Sequence, residues 1–255
     1  MGSVEQFYDR LAGDYHHLFA DWKATVAWQA EVLDRLIRVE IGDPPFSVLD
    51  CCCGVGTQAI GLAARGCRVH GTDLSAAAVE RAKREAAAAG VSVTFGVADV
   101  RSLAAQVAGT FDVVLSCDNA LPHLLADADL RRAAGAMAAK LRPGGLLLAS
   151  TRDYDALTKE QQRATTPRVF DDAAGRRIVF QVWDWAAGGR SYRVHQFILH
   201  GQGDAWSTAH YETEYRALLR DELTAILQEA DFGDVRWRMP EESGYYQPVV
   251  TARRR

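Results

Sequence analysis

The chain has 255 residues, 48% of them hydrophobic, enough to bury one substantial core with room for a small subdomain. Its 29 basic and 33 acidic residues give a formal charge of −4, so no basic excess points to nucleic acid, and no apolar run approaches the roughly 20 residues that span a bilayer. The first residues, with Glu5, Asp9 and Asp14, lack the form of a signal peptide, and an odd count of five cysteines argues against a disulfide framework; the expected location is cytoplasmic.

Residues 1–40 read as helical: Leu33, Leu36 and Ile37 recur at helical spacing, and Asp43-Pro44-Pro45 ends the segment. Residues 46–52 read as a first strand and 57–65 as a helix closed by Gly66. A second strand covers 67–71, and Ser75 caps a helix running to residue 89. Strands over 91–97 and 111–117, a helix over 127–141 and a strand over 146–151 complete the pattern. Strands alternating with helices specify an α/β fold, an open, mostly parallel sheet with helices on both faces.

The rhythm changes after residue 151. Segments 168–171, 177–184, 191–200 and 207–215 are β-prone, with turns at Asp172-Ala173-Ala174-Gly175, Ala187-Gly188-Gly189 and Gly201-Gln202-Gly203. No helical crossover separates them, so they are expected to pair antiparallel. A helix over 221–230 and strands over 235–239 and 246–252 follow. The expected organisation is a helical lid (1–45), a Rossmann-like core (46–151), an antiparallel β insertion over the substrate site (152–217), and a C-terminal part (218–255) that completes the core sheet with its last strand antiparallel.

The chemistry concentrates where the first strand ends, at Val48-Leu49-Asp50-Cys51-Cys52-Cys53-Gly54-Val55-Gly56-Thr57. Three adjacent cysteines cannot all grip one ion from a strand, and no CxxC pair accompanies them, so they read as small packing residues and no metal site is expected. The glycine turn lacks the third glycine of the dinucleotide fingerprint GxGxxG. An acidic residue also ends the second strand, at Asp73, and another follows the third, at Asp99.

Taken in order, these features resemble the class I S-adenosylmethionine (AdoMet) methyltransferases. Val48–Thr57 is similar to motif I, with Cys53 on its usual cysteine and Cys52 in place of its first glycine. Asp73 matches the acidic end of strand two, Ala98-Asp99-Val100 the step after strand three, Phe111 to Ser116 motif IV, and Leu141-Arg142-Pro143-Gly144-Gly145 the turn before strand five. The resemblance implies AdoMet as cofactor. Gly54 and Gly56 would let the backbone approach it. Asp50 would face its ammonium, Asp73 its ribose hydroxyls, and Asp99 its adenine amino group, with Leu74 and Val100 against the ring. Cys117 and Asn119, at the end of motif IV, would lie beside it. Each aspartate has the alternative of capping a turn or helix.

A closer resemblance covers two further stretches. Phe7-Tyr8-Asp9-Arg10-Leu11-Ala12-Gly13-Asp14-Tyr15 is similar to the entry of many small-molecule methyltransferases, whose tyrosines close over the cofactor. Asp118-Asn119-Ala120-Leu121-Pro122-His123-Leu124 and Thr151-Arg152-Asp153-Tyr154-Asp155 resemble the glycine and sarcosine N-methyltransferase group, with Asp118, Ala120 and Asp153 replacing that group's glycine, serine and asparagine. The resemblance implies that Arg152 binds a substrate carboxylate, its alternative being a salt bridge to Asp153 or Asp155. Asn119 and Tyr154 join it as substrate residues, and Tyr8 and Tyr15 shape the pocket mouth. His123 and Tyr15 are the candidate catalytic residues, His123 as a base or, alternatively, as a polar cap on the next helix.

His195 and His200 lie an odd number of residues apart and hence on opposite strand faces, so at most one, His195 being the candidate, reaches the substrate. Trp183 and Trp185 share a face and form either an aromatic wall for the substrate or ordinary core. The expected activity is methyl transfer to nitrogen of an amine or amino-acid-like small molecule. An O- or C-methyltransferase of natural-product biosynthesis and a non-catalytic AdoMet binder are the alternatives. Nucleic acid and membrane are not expected partners, and monomer and homodimer stay open.

Overall fold

The computed structural model describes residues 2–172 and 175–255. The tip of the predicted turn at Ala173-Ala174 lies outside them. Helices α1 (Val4–Leu11) and α2 (Trp22–Ile41) flank a 3₁₀ turn at Tyr15–Leu18, so the helix predicted over residues 1–40 is broken. The breaks are local: Ser3 and Gln6 cap α1 reciprocally, and the Asp21 carboxylate accepts from the Ala24 N–H to start α2 anew. The core then alternates β1 (Ser47–Asp50), α3 (Thr57–Ala64), β2 (Arg68–Asp73), α4 (Ala76–Ala88), β3 (Val93–Val97), a short α5 (Leu103–Gln106), β4 (Phe111–Ser116), α6 (Asp127–Lys140) and β5 (Leu141–Ser150). Sequence reading missed α5 and also α7 (Tyr154–Glu160), which Asp153 caps. Four strands follow: β6 (Arg168–Asp172), β7 (Gly175–Trp185), β8 (Ser191–Gln202) and β9 (Ala205–Arg216). The chain ends with α8 (Arg220–Glu229), β10 (Phe232–Arg238), α9 (Pro240–Ser243) and β11 (Val249–Arg254).

The main sheet has the order β10-β11-β5-β4-β1-β2-β3. Strand β11 is antiparallel to both β5 and β10, so it alone runs against the others. The pleat sorts the core. Val48, Val113, Leu115 and Leu148 pack with Leu33 and Ile37 of α2 on one face. Leu49, Val114 and Leu147 pack with Met137 of α6 and Leu227 of α8 on the other. Each such fully buried side chain contributes about 1.5–3 kcal/mol, so this double-sided burial, rather than the short strands' propensity, holds β1 in the centre. No helix among the described residues is long and apolar enough to cross a membrane.

The second sheet is antiparallel throughout, in the order β6-β7-β8-β9. Its register puts Gln181, Gln196 and Tyr211 on one face and Val182, His195 and Glu212 on the other. The first face packs on α1, where Phe7 and Leu11 meet Val179, Ile198 and Tyr211. The helix α1 is thereby clamped between the second sheet and the carboxyl end of the first.

Candidate active site

Two cavities open at the carboxyl edge of the main sheet. The first is lined by the turn after β1 (Cys51 to Gly54), by Asp73 and Leu74 at the end of β2, by Asp99 and Val100 after β3, by Cys117 and His123 after β4, and by Tyr8 and Tyr15 from the N-terminal segment. The second, of about 480 Å³, lies under the second sheet and is lined by Asn119, Arg152, Gln181, Gln196, Trp28 and Tyr215, among others. Tyr8, Tyr15 and Asp118 line both, so the cavities meet at those three residues.

In the first cavity the turn is pinned from outside. The Asp73 carboxylate accepts from Gly54 N–H at 2.8 Å and from Ser75 N–H at 2.9 Å, tying the turn after β1 to the end of β2. Burial pushes the Asp73 carboxyl up, against those backbone bonds. Gly54 and Gly56 have φ of 53° and 92°, which favours glycine. Their roles separate: beside Gly54 there is open space, whereas a Cβ on Gly56 would meet Ile60 Cδ1 at 2.9 Å and Ala82 at 3.2 Å. Gly56 thus does not line the cavity as predicted. It starts α3, and its lack of a side chain serves helix packing.

Asp50 lies behind the turn rather than on the cavity wall. It is buried, and no side chain among the described residues donates to its carboxylate oxygens. Burial first, then Asp73 and Asp118, push its carboxyl up to about 8. Asp99 lines the cavity, but Arg101 grips both its oxygens, with the shortest contact at 2.6 Å, and holds its carboxyl below the usual range. Arg101 thus occupies the carboxylate that the resemblance directed at an adenine amino group. All five cysteines are free thiols. Cys51 to Cys53 stand past the strand end, where all three line the cavity. Burial pushes the Cys53 and Cys117 thiols up, so these are packing groups and not nucleophiles.

At the junction, Asp118 and Asn119 both adopt positive φ, 58° and 68°, a strained pair for side-chain-bearing residues. The Asp118 carboxylate accepts from the hydroxyls of Tyr245 and Tyr246 and from Gln58 and Gln29. The Asn119 carbonyl accepts from the Arg152 N–H and the Tyr154 hydroxyl, leaving its buried amide nitrogen without a partner. Tyr154 itself is buried behind Asn119 and bonded to Tyr192, so it positions Asn119 and, against expectation, does not line the second cavity. His123 lines the first cavity, with Nε2 2.9 Å from the Tyr8 hydroxyl. Desolvation drives its imidazole down to about 3, so the ring is neutral and too weak a base to keep a proton near neutral pH. It caps no helix: it sits in a 3₁₀ turn, Leu121–His123. Tyr15 is held protonated by burial and by Asp118.

Arg152 is the one predicted substrate residue with a pronounced environment. It donates to the Tyr192 hydroxyl at 2.8 Å and to Gln181 at 3.0 Å, and its guanidinium lies over the rings of Trp183 and Tyr215 at 4.8 and 5.3 Å. Desolvation works against its charge, but the hydroxyls of Tyr192, Tyr154 and Tyr215 outweigh it and raise its pKa. The salt bridge to Asp153 or Asp155 is absent, because Arg220 takes both carboxylates, at 2.6 and 3.4 Å. The predicted aromatic wall is corrected. Trp183 is buried behind Arg152, and Trp185 stacks on Tyr192, away from the cavity. His195 also does not face the substrate: Val194 and Gln196 line the cavity, and the pleat turns His195 to the far face.

Sequence reading missed Gln181, Gln196, Asp118 and the tyrosines 215, 245 and 246. Glutamines at positions 181 and 196 were visible as polar interruptions in β-prone runs. Only register pairs them, Nε2 of Gln181 donating to Gln196 at 2.8 Å.

The fold is the Rossmann-like α/β fold of the class I methyltransferases. Residues 48–145 match the family model described as a methyltransferase domain. The chain is 35% identical over 136 residues to the ubiquinone biosynthesis O-methyltransferase of Methylocella silvestris, covering 49% of this chain and 51% of that protein. It is 32% identical over 154 residues to the glycine/sarcosine N-methyltransferase of Parasynechococcus marenigrum, covering 60% and 52%. The chain thus spans about half the length of these curated relatives. The AdoMet-bound structure of CalS10, an amino pentose methyltransferase from Micromonospora echinaspora, shares the fold, with a TM-score of 0.73, 20% identity, and coverage of 90% of this chain and 92% of that one.

The residues present fit the cofactor of this class. The space beside Gly54 admits a ligand, the Asp73 carboxylate lines the cavity as an acceptor of the kind ribose hydroxyls need, and Asp50 sits directly behind the turn.

Proposed function

We propose that this chain methylates the nitrogen of a small amine or amino-acid-like substrate that also carries an anionic group. One observation carries the reading: Arg152 is half-buried on the wall of the second cavity and has no carboxylate partner among the described residues. A partly desolvated cation that lacks a counter-ion draws an anion, and an incoming carboxylate supplies one. The planar guanidinium suits that group because its fork grips two oxygens.

AdoMet, when bound, supplies a methyl group already activated on a sulfonium. What the chain adds is position and dryness. Gly54, Asp73 and Asp99 with Arg101 hold the cofactor in the first cavity, and Asp50 backs the turn behind it. Arg152 and the free amide nitrogen of Asn119 anchor the substrate in the second. Tyr8 and Tyr15, shared by both cavities, cover the junction and exclude water. The amine must arrive unprotonated, and a low imidazole pKa removes His123 as the proton's resting place. Deprotonation is therefore assigned to solvent before the cavity closes.

A panel of amino acids, amines, phenols and carbon acids offered with methyl-labelled AdoMet tests the reading. Label on carboxylate-bearing amines is the expected result. The similarity to the Methylocella O-methyltransferase supports a second reading, transfer to a hydroxyl. Labelled phenol with untouched amines would establish it and overturn the first. Tight AdoMet binding without transfer to any acceptor would leave a cofactor-binding protein.

A further inference from the structure

The far face of the second sheet carries a cluster that the methyl-transfer site does not use. Register sets His195 of β8 directly opposite Glu212 of β9, and His210, two residues before Glu212, on the same face. One ligand atom from each of His195, His210 and Glu212, a ring nitrogen or a carboxylate oxygen, lies within 4.8 Å of the other two. Among the described residues, this is the one such grouping of histidine, cysteine and acidic side chains.

We infer that His195, His210 and Glu212 form a binding site for a divalent transition-metal ion of the zinc class. Tetrahedral Zn–N bonds of about 2.0–2.1 Å put two ligand atoms about 3.3 Å apart. His195 Nδ1 is 3.0 Å from His210 Nε2 and 3.7 Å from the Glu212 carboxylate, values that bracket this edge.

A second observation is independent of the three ligands. The other ring nitrogen of His195, Nε2, lies 3.0 Å from Oδ2 of Asp184 on β7. Metal-bound histidines almost always direct their second nitrogen to a carboxylate or carbonyl, which fixes the tautomer and leaves the first nitrogen's lone pair for the metal. Asp184 fixes Nδ1 of His195 as the acceptor in that way. Two imidazoles and one carboxylate suit zinc, nickel or copper rather than calcium or magnesium, which take all-oxygen sets. Because His210 is exposed, the fourth position is open to water. Occupancy would cross-link β8 to β9 and, through Asp184, brace β7, stiffening the sheet that roofs the substrate cavity.

The test is a Zn²⁺ titration of the untagged, chelator-stripped full chain, read by calorimetry and by competition with a chromogenic chelator. One equivalent in the micromolar range is expected. His210→Ala and Glu212→Gln should each weaken binding at least tenfold, and Asp184→Asn by about tenfold through the outer contact. His200→Ala is the control, since His200 packs on His17 at 4.9 Å between ring centroids and shares no ligand. His210 and Glu212 lie outside the buried core, and unchanged melting of the metal-free variants would establish that they fold. Failure of saturable binding below millimolar zinc, unchanged affinity in folded His210→Ala, or loss of the site in His200→Ala would each overturn the assignment. None of these readouts depends on methyl transfer.

Discussion

The hydroxyl of Tyr8 and Nε2 of His123 stand 2.9 Å apart, and this contact ties helix α1 to the turn that follows β4. It joins the N-terminal segment to the core at the edge shared by both cavities. A neutral imidazole suits it, because Nε2 then accepts from, or donates to, the phenol without a charge to bury.

Burial of His123 sets a pH dependence of stability. Its pKa falls from an ordinary 6.5 to about 3, so below pH 6.5 the unfolded chain takes a proton that the folded ring refuses. Stability is therefore full above that pH and falls toward pH 3, with a slope from this group of about 1.4 kcal/mol per pH unit. Denaturant melts from pH 7 to 4 should show His123→Gln with a shallower slope than the native chain. Equal slopes would mean that the ring is solvated in the native state.

Asp50 works in the opposite direction. Its carboxyl is raised from 3.8 to about 8, so the folded chain keeps a proton that the unfolded chain releases, and stability is lost as pH rises through that window. Asp50→Asn should stabilise the ligand-free protein at pH 7–8 by on the order of 2–4 kcal/mol and weaken AdoMet at least tenfold by calorimetry. A destabilised variant with native cofactor affinity would contradict both halves.

Asp73 is expected to be costlier to the cofactor than to the fold. Asp73→Ala removes the acceptor for two backbone N–H groups and for the ribose, and AdoMet affinity should drop by about 2–3 kcal/mol, roughly 30- to 150-fold. Unchanged affinity would refute the ribose assignment.

For Arg152, the split between kinetic constants decides its role. Arg152→Lys keeps a charge but loses the fork. Its KM for the acceptor should rise on the order of 10- to 100-fold, with kcat within a few-fold of native. A structural arginine would instead show a lower melting temperature with native KM.

The α/β core was legible because its signals are local. Alternating apolar runs, the glycine turn and the acids at Asp50, Asp73 and Asp99 lie within or just past single elements, and their order carries the topology. The break in the N-terminal helix went unread because a 3₁₀ turn keeps helix-like composition across Tyr15–Leu18. The substrate residues failed for a different reason. Trp183, Trp185 and His195 were assigned by residue type and Tyr154 by resemblance, whereas their exposure depends on which face of a strand or helix meets which neighbour.

By itself, then, the sequence determined the methyltransferase-type sheet and the glycine turn at its carboxyl edge, since backbone dihedrals and short spacings specify both. Tertiary structure alone decided that Arg152 faces a cavity without a counter-ion, because that depends on Arg220, 68 positions on in the chain, claiming Asp153 and Asp155. It alone also gathered Asp184, His195, His210 and Glu212, because strand register, and not proximity in the chain, sets which side chains stand together.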